Sequence, residues 1–164
     1  MRLVILGAGG YGRTVKDLAE QLGYSPIIIL DDKDLYHPLS SYSQYIDKST
    51  AFIPAFGNNE FRLSWCDKLE FSGAILVSLI HPTVYISPYT TIEAGTVILP
   101  HAIINTGVYI NRGCIVNLGA IIDHDCVVEE GVHICIGAIV KGENRIKKCT
   151  KVEAGDIIER NTRK

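Results

Sequence analysis

Between positions 80 and 158 an aliphatic residue returns at every sixth position: Ile80, Ile86, Ile92, Ile98, Ile104, Ile110, Val116, Ile122, Val128, Ile134, Val140, Ile146, Val152 and Ile158. Ile and Val together make up 35 of the 164 residues. Fourteen consecutive hits would arise by chance about once in 10⁹, so this period is read before any shorter pattern. Four residues after each hit stands a small side chain: Val84, Thr90, Thr96, Ala102, Val108, Cys114, Ala120, Cys126, Val132, Ala138. Three residues after many of them stands Gly: Gly95, Gly107, Gly113, Gly119, Gly131, Gly137, Gly155. An aliphatic residue, a small residue and a turn-permissive glycine in every hexapeptide describe a parallel β-helix. Three hexapeptides, about 18 residues, close one triangular coil, and the aliphatic positions stack into ladders inside it. Short strands with flat outer faces predict self-association.

The pattern ahead of this repeat is of a different kind. Residues 2–6 (RLVIL) form an apolar strand that runs into Gly7-Ala8-Gly9-Gly10-Tyr11-Gly12. Val15, Leu18, Ala19 and Leu22 then follow helical spacing, and Gly23 closes that helix. Residues 26–30 (PIIIL) read as a buried parallel strand ended by Asp31-Asp32. Residues 33–50 are polar and tyrosine-rich, a loop with one short helix near 40–46. Strands at 51–55 and 74–77 flank a helix capped by Gly57-Asn58-Asn59 and running to about Lys68, with Phe61, Leu63 and Leu69 as its apolar positions. This is a βαβ unit with G-x-G-x-x-G at its first turn. Glycines there let a phosphate approach the backbone, and the helix N-terminus offers unpaired N–H groups and a positive dipole end. Four strands are too few for a dinucleotide fold, so one mononucleotide-sized ligand is expected. The predicted organisation is a Rossmann-like mononucleotide-binding domain over 1–78 and a β-helix over 79–164.

Composition narrows the function. A net charge of −2 with mixed signs gives no electrostatic footprint for nucleic acid or an anionic membrane. No apolar run is long enough to span a membrane, and the N-terminus enters a strand without a secretory signal pattern, so a cytoplasmic protein is expected. Five cysteines without a C-x-x-C pair read as free thiols. Arg160, Arg163 and Lys164 read as a short solvated tail.

His124 is the leading candidate for chemistry. It stands two positions after Ile122, off the inward ladder, between Asp123 and Asp125. A histidine with a carboxylate neighbour is suited to removing a proton from a nucleophile near neutral pH. Coil arithmetic stacks Thr106, His124 and Gly142 in one column, with Gly142 about 4.8 Å above His124. A glycine there leaves room for a substrate beside the histidine and offers its backbone N–H as an oxyanion donor.

The chain resembles the left-handed β-helix acyltransferases that carry a small N-terminal nucleotide-sugar-binding domain. These include the bacillosamine- and perosamine-type nucleotide-aminosugar N-acetyltransferases and the sialic acid O-acetyltransferases. The resemblance rests on GAGGYGR at 7–13, LDD at 30–32, GNNEFR at 57–62, LIHPTVYIS at 79–87 and NLGAIIDHDCVVEEGVHICIGA at 117–138, and it covers nearly the whole chain. It implies a left-handed coil, an exception to the right-handed crossover rule. It implies acetyl-CoA as donor and no metal. It makes His124 the general base, supported by Asp125, and places His133, Gly142 and Asn117 toward the donor. It has Gly7, Gly9, Gly10 and Gly12 cradle the diphosphate of a nucleotide-linked sugar, with Asp31 and Asp32 near its base or ribose. Tyr11 stands where relatives often have histidine. The family's site lies between subunits of a homotrimer.

The expected reaction is acetylation of the amino group of a nucleotide-linked aminosugar. O-acetylation of a sialic acid or other sugar, and a truncated non-catalytic nucleotide-sugar-binding scaffold, are the alternatives, since relatives continue with further coils. A metal hydrolase of carbonic-anhydrase type would need a histidine pair five apart, and the residue five after His124 is Glu129.

Overall fold

Buried strands alternating with amphipathic helices shape the first of two compact units, Met1–Leu79, in the computed structural model of the chain, which describes residues 1–160. Strand β1 (Arg2–Leu6) is buried on both faces. It leads into α1 (Gly10–Gln21), whose Val15, Leu18 and Ala19 face the core. Strands β2 (Ile27–Leu30), β3 (Thr50–Pro54) and β4 (Ile75–Leu76) pair parallel with it in the order β2-β1-β3-β4. Helix α2 (Asn59–Phe71) begins at the Asn58 cap, whose side chain accepts from Phe61 N–H at 2.8 Å. Both helices end in a glycine of positive φ, Gly23 and Gly73. After α1 the N–H groups of Gly23 and Tyr24 close onto the carbonyls of Glu20 and Ala19, a Schellman termination. The tyrosine-rich loop holds one 3-10 helix, Leu39–Tyr45.

Phe61 departs from its expected core position. It is 46% exposed. Leu63, Trp65, Cys66 and Leu69 supply the buried side of α2 instead, together with a fully buried Arg62. Arg62 donates to the Phe56 carbonyl at 3.0 Å and the Asn59 side chain at 2.9 Å, and so ties down the loop between β3 and α2.

From Ile80 the second unit is a parallel β-helix. Among the described residues, fourteen two-residue strands run from β5 (Leu79–Ile80) to β18 (Ile157–Ile158) and stack into three parallel sheets. Each strand pairs with the one 18 residues on, as in Tyr109↔Val127 and Ile121↔Ile139. The Ile/Val ladder and the small residues beside it make one continuous core from Ile98 to Val152. Most hexapeptides bend at the position three after the aliphatic hit, where the backbone enters the left-handed region. Glycine takes this at Gly95, Gly107, Gly113, Gly119, Gly131, Gly137 and Gly155, but His101, Asp125, Glu143 and Cys149 take it as non-glycine residues.

Polar atoms at the small inward positions are satisfied by one recurring bond. Thr90, Thr96, Cys114, Cys126 and Asn144 each donate to the backbone carbonyl 15 residues later, at 3.0–3.3 Å. In a dry interior such groups need a partner, and the coil above supplies it. All five cysteines are unbridged.

Candidate functional site

The N-terminal unit carries a cavity of about 400 Å³ over the glycine loop. Gly7, Gly9 and Gly10 line it, with Tyr11, Asp31 and Lys33 beside them and Phe56 and Phe61 opposite. Gly7 has φ +115°, and a side chain there would meet the Ala55 carbonyl at 2.8 Å. Gly9 opens onto free space, and Gly10 meets only the Arg13 guanidinium, at 3.9 Å. Helix α1 has no acidic residue in its first turn, so its N–H groups face the cavity without a competing carboxylate on the helix itself. Gly12 acts in packing instead: a β-carbon there would sit 2.0 Å from the Gly7 carbonyl, so its absence lets the helix close against the strand. Phe56 and Phe61 meet edge to face with centroids 4.6 Å apart, which gives the cavity one aromatic wall.

The two acids after β2 divide. Asp31 lines the cavity, yet its carboxylate is already committed. Oδ2 accepts from Ala8 N–H at 2.6 Å and Oδ1 from Lys33 N–H at 3.1 Å, so it braces the glycine loop. Asp32 does not line the cavity. It accepts from Leu39 N–H at 2.9 Å and holds the start of the 3-10 helix.

In the β-helix, the chain leaves strand Ile121–Ile122 and turns through Asp123, His124 and Asp125. The corner is pinned to the coils on either side. Asp123 N–H donates to Val140 O, Asp125 N–H to Thr106 O, and Glu143 N–H to His124 O, at 2.9–3.0 Å. Asp125 holds φ 56°, a conformation that aspartate tolerates better than most residues. That bend turns its carboxylate down over Gly107, where a β-carbon would sit 2.4 Å from Oδ1. Oδ2 then lies 2.9 Å from His124 Nδ1.

Gly142 stands over the face of the His124 ring at Nε2. A β-carbon at Gly142 would fall 2.6 Å from Nε2, so the missing side chain is what leaves a slot over this nitrogen. The Asp123 carboxylate stands beside this slot, and the Gly142 N–H is among the groups that lower its pKa. Asp123 also accepts from Asn105 Nδ2 at 2.9 Å and stands 3.9 Å from His124 Nε2 through Oδ2.

Charge follows this geometry. The hydrogen bond to Asp125, and then the fields of Asp123 and Asp125, raise the His124 pKa above that of an ordinary histidine. The Asn105 amide and the backbone N–H groups of His124 and Gly142 hold Asp123 below the usual carboxylate range. Arg160, read from sequence as part of a solvated tail, closes on Glu143 in an ion pair that lowers the glutamate and reaches His124 electrostatically. Arg163 and Lys164 lie outside the described residues. Asn105, Glu143 and Arg160 are the site neighbours that sequence reasoning did not bring to His124. Spacing of 18 from the His124 corner would have found all three.

Asn117 and His133 come together elsewhere on the coil. Asn117 Oδ1 accepts from Leu118 N–H at 2.8 Å, so its amide nitrogen is the group 3.2 Å from His133 Nε2. Nε2 is thereby the acceptor, and the ring proton resides on Nδ1. Within one chain this pair is remote from His124. The His124 corner joins the sheets of β12 (Ile121–Ile122) and β13 (Val127–Val128), whereas His133 belongs to the third sheet, on the opposite side of the triangle.

Between those two places runs the sheet of β12. Its outward positions are Tyr85, Ile103, Ile121, Ile139 and Ile157, an apolar stripe in which Tyr85, Ile103 and Ile157 are 58%, 41% and 52% exposed. Leu118 and Ile136 extend it at the corner near Asn117. No helix among the described residues is long and apolar enough to cross a membrane, and among them no three His, Cys, Asp or Glu are grouped to hold a metal ion.

The sequence profile of the PglD N-terminal domain matches residues 2–69. The acetyltransferase domain of PglB from Neisseria gonorrhoeae FA1090 is 31% identical, with a TM-score of 0.89 over 95% of this chain and 81% of that one. The same domain in complex with acetyl coenzyme A aligns with 28% identity and a TM-score of 0.82, over 96% of this chain and 92% of that one. PerB from Caulobacter crescentus, in complex with CoA and GDP-perosamine, shares the fold at 24% identity and a TM-score of 0.84, over 98% and 89%.

Proposed function

The chain belongs to the left-handed β-helix sugar acetyltransferases that carry a PglD-type N-terminal domain, and from that premise we propose that it transfers the acetyl group of acetyl-CoA to the amino group of a nucleotide-linked aminosugar. One observation carries the proposal: His124 is held by Asp125 through Nδ1 at 2.9 Å while the absent side chain of Gly142 leaves the ring uncovered at Nε2.

Asp125 accepts a hydrogen bond from Nδ1–H and leaves Nε2 with its lone pair, the tautomer a general base requires. In the reaction the amine nitrogen attacks the thioester carbonyl. The C–N bond forms, the C–S bond breaks, and Nε2 takes the amine proton and passes it to the departing thiolate. Gly142 contributes space for the thioester. Asn117 and His133 act on the donor, with Asn117 fixing the tautomer of His133. The cavity of the N-terminal unit takes the nucleotide: the glycine loop and the α1 N-terminus receive the diphosphate, Lys33 adds charge, and the Phe56–Phe61 wall packs on the base.

The functional unit is a homotrimer. The apolar stripe from Tyr85 to Ile157 is the kind of surface that a soluble chain covers. It lies between the His124 corner and the Asn117–His133 edge. Packing this face around a threefold axis brings His124 of one subunit to the Asn117–His133 pair of the next.

The test is release of free thiol from acetyl-CoA across a panel of UDP-, dTDP- and GDP-linked 4-aminosugars and their hydroxyl counterparts. Release with at least one aminosugar, lost on His124→Ala, is expected. Release only with hydroxyl sugars would make the chain an O-acetyltransferase, and no release with any sugar would remove the enzymatic reading.

A further inference from the structure

We infer that Asp123 is a specificity-determining residue that selects an amine over a hydroxyl nucleophile by receiving a second hydrogen of the attacking atom beside His124. This rests on the reaction proposed above and goes beyond it by naming what distinguishes nitrogen from oxygen.

The geometry points to it. Asp123 Oδ2 stands 3.9 Å from His124 Nε2, too far for a hydrogen bond between them. An atom placed about 2.9 Å from both fits between the two groups, at ordinary hydrogen-bond distance from each. Both border the slot over Nε2. Gly142 clears the space above that nitrogen, and the Asp123 carboxylate stands at its rim. Asp123 is held in place, because Asn105 Nδ2 donates to Oδ1 at 2.9 Å. Its neighbour Asp125 is engaged with Nδ1 on the other side of the ring. The imidazole therefore lies between two carboxylates, one that orients it and one that faces its reactive nitrogen.

A primary amine has two hydrogens and one lone pair. It can give one hydrogen to Nε2, the other to Asp123, and keep its lone pair for the thioester carbon. A hydroxyl has one hydrogen. With that hydrogen on Nε2, its remaining lone pairs face a carboxylate that accepts only, a repulsive contact. Leaving a polar group of the site without its partner is the basis on which enzymes reject an analogue. The stoichiometry of transfer is unchanged: Nε2 takes one proton, and the hydrogen on Asp123 stays with the amide product.

The experiment measures binding in the presence of CoA, which permits no turnover. Matched nucleotide sugars bearing an amino or a hydroxyl group at the same carbon are titrated into the wild-type protein and Asp123→Asn by calorimetry, with the UDP, dTDP and GDP series as probes. The wild type is expected to favour the amino sugar by about tenfold or more, the worth of one hydrogen bond to a charged group. Asp123→Asn is expected to bring the two sugars within about twofold of each other. A merely structural role for Asp123 would weaken both sugars together and keep their ratio, and that outcome overturns the proposal while leaving the acetyltransferase reading intact. Wild-type protein that binds no sugar of the panel would overturn both. Where Asp123→Asn is well folded by circular dichroism and retains thiol release, the ratio of kcat/KM values should move in the same sense as the binding ratio.

Discussion

Gly142→Ala should separate stability from activity. The added β-carbon would meet His124 Nε2 at 2.6 Å, Cε1 at 2.9 Å and Cδ2 at 3.0 Å. Non-bonded heavy atoms settle at about 3.5–4.0 Å, so the ring must move by about 1 Å. The push is perpendicular to the ring plane, so the ring must tilt, and its 2.9 Å bond to Asp125 loses alignment. The base then loses both its tautomer and its aim, and the slot is filled. General-base catalysis contributes about 10²–10⁴-fold, and kcat is expected to fall within that range. The fold should not suffer. Gly142 lies outside the left-handed region, and Gly→Ala at a compatible position stabilises by about 0.4–1 kcal/mol through the unfolded chain. Partly exposed His124 can rotate outward. Gly119→Ala is the control. It has φ +62° and nothing within 4 Å, so it should cost about 1–2 kcal/mol of stability and leave kcat unchanged. Thermal melts and thiol-release kinetics on both variants decide the matter. A Gly142→Ala protein with wild-type kcat, or one that melts well below wild type, would refute the reasoning.

Because Asp125 raises the His124 pKa, kcat/KM should climb with pH through a midpoint above the ordinary histidine value of about 6.5. Asp125→Asn removes the anion that favours imidazolium, so the midpoint should move to lower pH while the plateau drops; a pH–rate profile with an unmoved midpoint would contradict the assignment. Ile121→Glu places a charge in the centre of the apolar stripe and should yield folded monomers without turnover, read by sedimentation and circular dichroism; an active monomer would show that the site is complete in one chain. Phe61→Ala removes a 46% exposed ring from the cavity wall. It should weaken nucleotide-sugar binding by roughly 1–3 kcal/mol if the ring stacks on the base, while stability changes by no more than about 0.5 kcal/mol; equal losses of melting temperature and affinity would make it a core residue after all.

The sequence by itself determined the β-helix, because period six is imposed by the fold on every coil and each hit must be small enough and apolar enough to fill the same interior ladder. Once that register is known, the columns follow by arithmetic, and the stacking of His124 beneath Gly142 was legible from the chain alone. The glycine loop was legible for the same reason: Gly7 and Gly12 sit where a side chain would strike backbone. Tertiary structure decided whatever depends on where a side chain's last atoms go. The resemblance puts both Asp31 and Asp32 at the nucleotide, yet Asp31 lines the cavity while bracing the glycine loop, and Asp32 holds the Leu39 N–H at the start of the 3-10 helix. Helical periodicity put Phe61 in the core, but in the first turn of α2 it turns to the cavity and Arg62 is buried in its stead. A tail of basic residues reads as solvated until Arg160 is seen to close on Glu143 across one coil. Repeats dictate backbone register from local sequence; hydrogen-bond partners at the corners are chosen by whichever neighbouring coil offers the complementary group, and that is settled only in three dimensions.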